Sequence, residues 1–317
     1  MISLADRLRA ILRRNRSWVA FRQLQLEGWV HVWRRRKLWR CILDTPPVAT
    51  DPAGPPVRVE VHLLCSYRDY LCAIWTLKSF YHFAGVSYPL VIHIQGAVSP
   101  AVYRHLQTHF PQARVVLQSE ANSIVEEFLG RRRLTRLAEA RRVSPFMLKL
   151  IDFPVLSNAD YLVTLDSDVL FFARPAELLE AAASPVHSRF QRDAANAYNI
   201  TEAQAASELG IRMAPAINTG ITLFPRRNLD LERCERYLAH PEVARNTTWI
   251  EQTLHALCAS EQGLVEYLPA SYLLSFEPAL SLDDLVARHY AGPTRLLMTD
   301  EGMPAILYSL RGAGNGR

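Results

Sequence analysis

From residue 57 onward the chain alternates short apolar runs with longer stretches of helical period. Residues 57–64 (VRVEVHLL) are β-branched and apolar, predicting a buried first strand that ends at Cys65-Ser66-Tyr67. An amphipathic helix is expected around 70–81. The runs at 90–94 and 113–117 read as further strands, and helices are expected over 121–142 and 145–157. The stretch 161–165 (YLVTL) is another buried strand, while 282–287 has a helical look. Strands separated by helices predict an α/β fold with an open sheet flanked by helices.

The first 45 residues break this pattern. Leu4, Leu8, Ile11 and Leu12 fall on one face of a helix and arginines on the other, predicting a helical arm. The expected organisation is therefore a basic arm over 1–45, a Pro-rich linker over 46–56 where helix cannot continue, and one domain over 57–317. The arm changes the reading of the charge. The chain carries a net +5, yet residues 1–40 hold eleven Arg and Lys against Asp6 and Glu27, so the remainder is slightly acidic. The whole-chain charge gives no argument for nucleic acid as a partner. Trp18, Trp29, Trp33 and Trp39 are interleaved with the basic residues, which leaves two roles open: packing on the domain, or binding an anionic membrane surface. The basic residues at 131–142 read as a solvated helix face. Five scattered cysteines fit a reducing compartment, and no stretch has the length of a membrane span or the apolar core of a signal peptide. The expected location is the cytoplasm, at most peripheral to a membrane.

The candidate chemistry lies in residues 157–180. The strand at 161–165 stops at Asp166-Ser167-Asp168, and Val169-Leu170-Phe171-Phe172 resumes as apolar chain. Ligands of open α/β sheets bind beyond the carboxyl ends of strands, which places both acids where a site is expected. Two carboxylates with one spacer can jointly hold Mg²⁺ or Mn²⁺, and such an ion neutralises charge on a leaving diphosphate. The bland alternative is an Asp pair that caps local amides.

Three segments carry a family resemblance. Ser144-Pro145-Phe146-Met147-Leu148-Lys149-Leu150, followed by the Asp-x-Asp strand and Arg174-Pro175-Ala176-Glu177-Leu178, is similar to the donor-site core of GT-A-fold glycosyltransferases. It most resembles glycosyltransferase family 8 and its bacterial relatives. In the same order, residues 216–224 (AINTGITLF) resemble the family's asparagine-small-glycine turn, and 288–293 (RHYAGP) its C-terminal histidine segment. The family's lysine-proline-tryptophan ending is replaced here by Thr294-Arg295. The resemblance covers roughly 57–310.

It implies a GT-A mixed sheet and a hexosyltransferase-like, retaining enzyme that uses a nucleotide-diphosphate sugar, with UDP-sugar the expected donor. Asp166, Asp168 and His289 would hold the metal. Cys65, Ser66 and Tyr67 would line base and ribose, with Lys149 and Ser167 near the donor. Asn218 and Gly220 would border the sugar pocket, and Asp193 would bond the donor sugar's hydroxyls. Glu251 and Gln252 would stand beside the anomeric carbon, with a glycan, lipid-linked or other hydroxyl acceptor. His289 could equally be structural, and Asp193 and Glu251 could be surface polar groups. Two other functions stay open: a metal-dependent phosphatase of the haloacid-dehalogenase kind, and a non-catalytic nucleotide-sugar binder.

Overall fold

A computed structural model describes residues 29–51, 58–183, 186–279 and 281–312. The apolar face expected at Leu4–Leu12, Trp18, the end of the linker, 52–56, and the first domain residue, 57, lie outside the described residues. The helices used below are α1 (Trp29–Cys41), α2 (Tyr70–Ala84), α3 (Pro100–His109), α4 (Gln118–Arg131), α5 (Thr135–Val143), α6 (Met147–Leu156), α7 (Ala176–Ala183), α8 (Glu202–Glu208), α9 (Leu231–Tyr237), α10 (Ile250–Glu261) and α11 (Met303–Gly312).

The strands β1 (Val59–Ser66), β2 (Leu90–Gln95), β3 (Arg114–Leu117) and β4 (Tyr161–Leu165) are joined by helical crossovers and run parallel, as such connections require. The short strand β5 (Val169–Phe171) follows β4, and β6 (Ser188–Arg192), β7 (Ile217–Pro225) and β8 (Val265–Tyr267) complete a seven-stranded sheet of order β3-β2-β1-β4-β7-β6-β8. In it β7 is antiparallel to both neighbours. Strand β5 instead joins β9 (Tyr272–Leu274) and β10 (Ala287–His289) in a separate sheet of order β5-β10-β9. The expected α/β mixed sheet flanked by helices is thus found.

Each strand is apolar because each face is covered. On one face Val61 and Leu63 of β1 meet Trp75, Leu77 and Phe80 of α2. On the other, Val91, Leu162 and Phe224 meet Leu150 and Phe153 of α6 and Leu254 and Leu257 of α10. Full burial of such a side chain contributes about 1.5–3 kcal/mol.

Several sequence expectations change. The single helix over 121–142 is two, α4 and α5, broken at 132–134, where Arg133 has φ 58°. The helix expected over 282–287 is a turn, with the amide of Leu285 donating to Leu282 O, and then enters β10. The basic face at 131–142 is not simply solvated. Arg141 is buried in a two-pronged pair with Asp152 (2.7 Å each), Arg132 meets Glu232 at 2.5 Å, and Arg136 meets Glu235 at 3.5 Å.

Helix α1 packs on the domain. Trp39 Nε1 donates to Thr299 Oγ1 (2.6 Å), and Arg35 pairs with Asp300 (2.7 Å). Trp75 Nε1 donates to the carbonyl of Trp39 (3.1 Å). Trp33, Arg34, Arg36, Lys37 and Arg40 remain exposed on the same helix. The chain beyond α1 also docks, since the amides of Val48 and Asp51 donate to His109 O and Ser87 O.

A buried polar chain lies between β1, β2 and α6. His62 Nε2 meets Glu60 Oε2 (3.2 Å) and His62 Nδ1 meets His93 Nε2 (3.0 Å), with Phe153 packed against both rings. Burial holds His62 below, and His93 well below, the ordinary histidine range, and burial with the nearby Lys149 charge lowers His255 to about 3. These three stay neutral in the fold but take up protons when it unfolds. Stability is therefore full above about pH 6.5 and falls below it, by roughly 1.4 kcal/mol per histidine per pH unit. Burial lowers His82 and His109 too, so His289, whose value is raised, acts in the opposite direction as one group against five. Denaturant midpoints at pH 7.5 and 5.5 should show a clear loss at the lower pH, and His255→Phe should remove one histidine's share of the slope.

Candidate donor and metal site

The Asp166-Ser167-Asp168 turn is the crossing between the two sheets. Its first residue extends the pairing of β4 with β7, because the Asp166 amide donates to Gly220 O (2.8 Å). Its last extends the pairing of β5 with β10, because the Tyr290 amide donates to Asp168 O (2.8 Å). The same pairings bring Gly220 and His289 to the turn. Asp166, Asp168 and His289 each offer a ligand atom, and these atoms lie within 4.8 Å of one another.

The His289 ring is oriented by two amides. Gln191 Nε2 donates to Tyr272 O (3.1 Å), which aims Gln191 Oε1 at His289 Nδ1 (3.2 Å). Asn218 Nδ2 donates to Asp193 Oδ2 (3.0 Å), which aims Asn218 Oδ1 at the same nitrogen (3.1 Å). Two acceptors around Nδ1 require that it carry the proton. Nε2 then faces Asp168 Oδ1 at 3.2 Å and Asp166 Oδ2 at 3.7 Å. A ring fixed from behind by an acceptor, with its other nitrogen turned to carboxylates, is the arrangement of a metal-ligating histidine. A register shift between Phe190 and Gln191, where β6 pairs with β7, sets Gln191 opposite Asn218.

Gly220 sits under the ring. A Cβ there would lie 2.2 Å from His289 Cε1 and 2.3 Å from Nδ1, so only glycine permits the approach. Gly220, expected at the border of the sugar pocket, lies under the ring and is not itself among the residues lining the cleft.

Cationic side chains already neutralise the acids. Lys149 Nζ donates to Asp166 Oδ1 (2.7 Å), and Arg295 donates through Nη2 (2.6 Å) and Nε (3.1 Å) to Asp168 Oδ2. Burial alone would raise the Asp168 carboxyl, but the hydrogen bond and charge of His289, then Arg295, hold it well below the usual range. Burial opposes the charge on Lys149, yet Asp166 and Glu251 raise it above its ordinary value. Glu251 itself is raised by burial, with Lys149 acting against the shift. It accepts from Thr219 Oγ1 (2.9 Å) and stands 3.8 Å from Lys149 Nζ. Gln252 Nε2 donates to Asp193 Oδ2 (3.1 Å), closing a network with Asn218.

These groups line a cleft of about 730 Å³ at the carboxyl ends of the strands. It contains Cys65, Ser66, Lys149, Asp166, Ser167, Asp168, Asp193, Asn218, Glu251, Gln252 and His289 from the sequence expectations. Tyr67 is outside the lining, with Arg68 stacked on its ring. Four participants escaped the sequence reading: Asp69, Gln191, Thr219 and Arg295. Asp69 accepts from the Ser66 amide (2.6 Å) and from Ser167 Oγ (3.2 Å), tying the end of β1 to the acidic turn. The aspartate just before an expected helix was the signal for Asp69. The arginine standing in the missing lysine-proline-tryptophan ending was the signal for Arg295.

No family model matches the chain, and no curated protein matches it. Solved structures do. The apo form of mouse xyloside xylosyltransferase 1 superposes with a TM-score of 0.50 at 13% identity, over 75% of this chain and 99% of that one. The apo structure of the bifunctional glycosyltransferase WbbM gives 0.53 at 14% identity, over 83% of this chain and 51% of that one, so the chain spans about half of WbbM. The fold is that of the GT-A glycosyltransferases. Four strands, β1 to β4, precede the Asp-x-Asp turn, unlike the haloacid-dehalogenase arrangement, in which that motif opens the domain.

Gly220→Ala should destabilise the fold by about 1–3 kcal/mol, as overpacking does, because the buried ring cannot yield. Gly130→Ala, at a helical site with open space around it, should be neutral or slightly stabilising. Denaturant unfolding of the two variants checks the contrast.

Proposed function

We propose that the chain is a metal-dependent glycosyltransferase related to family 8, taking a nucleotide-diphosphate sugar, expected to be a UDP-sugar. The observation that carries this reading is the Asp166–Asp168–His289 cluster, gathered at the carboxyl end of β4 in a GT-A fold. Two carboxylates and one imidazole, its free nitrogen turned toward them, suit Mn²⁺ or Mg²⁺. Bound there, such an ion would supply neutralising charge to a leaving diphosphate.

The chain's own residues have distinct tasks. His289 and Arg295 keep the Asp168 carboxylate ionised, Lys149 pairs with Asp166, and the two cations Lys149 and Arg295 provide positive charge around the phosphates. Cys65 and Ser66, at the end of β1, border the base and ribose, with Ser167 near the donor. Asp193, whose Oδ2 is fixed by the amides of Asn218 and Gln252, presents Oδ1 to the donor sugar's hydroxyls. Gln252 and Glu251 face the anomeric centre, where the raised carboxyl of Glu251 suits it to accept and return a proton. Transfer with retention is what the family 8 likeness implies. The acceptor is a glycan, lipid-linked or other hydroxyl, and the arm of residues 1–45 precedes a catalytic domain over 57–317 against which its helix α1 packs.

UDP alone should shift the melting temperature little, whereas UDP with Mn²⁺ should stabilise by about 2.7 kcal/mol at a hundredfold excess over Kd. Asp168→Asn should remove that shift and lower hydrolysis of UDP-glucose, UDP-galactose or UDP-xylose by about 10²-fold or more. Undiminished hydrolysis in EDTA would sink the metal-dependent reading.

Location at a membrane surface is a second reading, favoured by the exposed Trp33 with Arg34, Arg36, Lys37 and Arg40 around it. Among the described residues no helix is long and apolar enough to cross a membrane. Each basic residue at an anionic surface contributes roughly 1 kcal/mol. The full chain should co-sediment with phosphatidylserine vesicles at low salt, and Arg34→Glu combined with Lys37→Glu should reduce the bound fraction. Binding that ignores both salt and these changes would rule the surface out.

A further inference from the structure

We propose that an aromatic rim on this cleft is a platform for a sugar ring, so that the accepting hydroxyl belongs to a carbohydrate rather than to a lipid headgroup or a peptide. The proposal rests on the glycosyltransferase reading above and narrows its acceptor. Phe146, Trp249 and Phe276 all line the cleft, yet remain 40%, 40% and 52% exposed. Trp75, Phe80 and Phe153 of the core are fully buried, and the other exposed aromatic rings among the described residues, Trp33, Tyr67, Tyr103 and Tyr308, lie outside the cleft. Large apolar side chains left open around one polar cleft mark a surface that a ligand covers.

The rings are held in position by the elements that hold the site. Phe146 is the residue before α6, and Trp249 the residue before α10. The first turns of those helices carry Lys149, Glu251 and Gln252. Ser144 Oγ donates to Thr247 O (2.6 Å), joining the two loops and fixing the two rings in one frame. Phe276 comes from another element: it lies two residues beyond β9, whose Leu274 pairs with His289 of β10. Polar side chains share the cleft with these rings, among them Thr248, Gln252 and Asp193. Asp193 Oδ2 is taken by the amides of Asn218 and Gln252, while Oδ1 has only a 3.5 Å contact with the Ala195 amide and keeps capacity to accept.

A pyranose matches this alternation. Its face of C–H groups is apolar and lies flat against an aromatic ring, whose negative face attracts the C–H edge. Its hydroxyls point outward from the ring edge, toward the carboxylate and amide. An acyl chain in the same place would cover Asp193 Oδ1 without giving it a partner, which carries the desolvation cost of an unpaired acceptor. A nucleobase could also stack on such rings, so the test must separate donor from acceptor.

Saturation-transfer NMR on the full chain, with methyl glycosides and disaccharides of glucose, galactose, xylose and mannose as probes, reads the sugar contact directly. Wild type with UDP and Mn²⁺ should transfer saturation to the C–H face of at least one probe. Trp249→Ala and Phe276→Ala should weaken its affinity at least about tenfold, as loss of a central aromatic anchor does, and Trp249→Phe should retain most of it. In parallel, the thermal shift given by UDP with Mn²⁺ should be the same in both alanine variants as in wild type. No transfer to any probe overturns the proposal, as does transfer undiminished in both alanine variants. Loss of the nucleotide shift in those variants assigns the rim to the base and also overturns it. A wild type that binds sugars but shows no nucleotide shift sinks the donor reading itself, and the acceptor role with it.

Discussion

Everything in the cleft depends on how the chain passes from one sheet to the other between Leu165 and Val169. The crossing is gripped on both sides by backbone hydrogen bonds, to Gly220 of β7 and from Tyr290 after β10. A turn held on both sides has no freedom to fold its acids outward to water. The grip also fixes which strands meet there, because the residue that pairs beyond Leu165 must be close to Gly220 and the one that pairs with Val169 must be His289. Side chains separated by more than a hundred residues therefore converge through register alone.

That convergence concentrates charge in a small volume, and the fold balances it rather than diluting it. Asp168 is buried and would be costly as a lone anion. Arg295 and His289 both face it, while Lys149 bridges toward Asp166 and Glu251. Charges in such a network cannot be changed singly without leaving another unbalanced, so the cleft behaves as one electrostatic unit. The neutral amides of Gln191, Asn218 and Gln252 are the second part of the device. They carry no net charge but set which ring nitrogen of His289 bears a proton and which oxygen of Asp193 stays open.

The strands β1 to β4 and the acidic turn were legible in the sequence because a doubly covered strand is an apolar run and its end is abrupt. The helix expected over 121–142 was not, since its apolar spacing continues through the break and only the left-handed backbone at Arg133 reveals it. The strand β10 was missed for a related reason: three residues are too few to show a period, and Asp283-Asp284 before it looks like the opening of a helix. Asn218, Asp193, Glu251 and Gln252 were legible as a set only through likeness to a family. No local pattern says that residues on β7, beyond β6 and at the start of α10 will share hydrogen bonds. Gln191 was hidden altogether, because its place opposite Asn218 comes from the register shift in β6. Arg141 shows the limit of charge patterning, as a basic helix face can hold one residue whose partner, Asp152, lies on the next helix.

Helix α1 has a consequence for how this protein can be shortened. Its Trp39 and Arg35 hold Thr299 and Asp300, which belong to the π-helical segment Met298–Gly302. That segment begins one residue after the helical turn Arg295–Leu297, which carries the guanidinium on Asp168. The far end of the chain is thus braced by its beginning. A fragment starting at residue 57 would keep nearly every side chain of the cleft and lose the brace on one of its cations. Boundaries drawn at the linker, however natural they look in the sequence, would cut a mechanical connection between the arm and the chemistry.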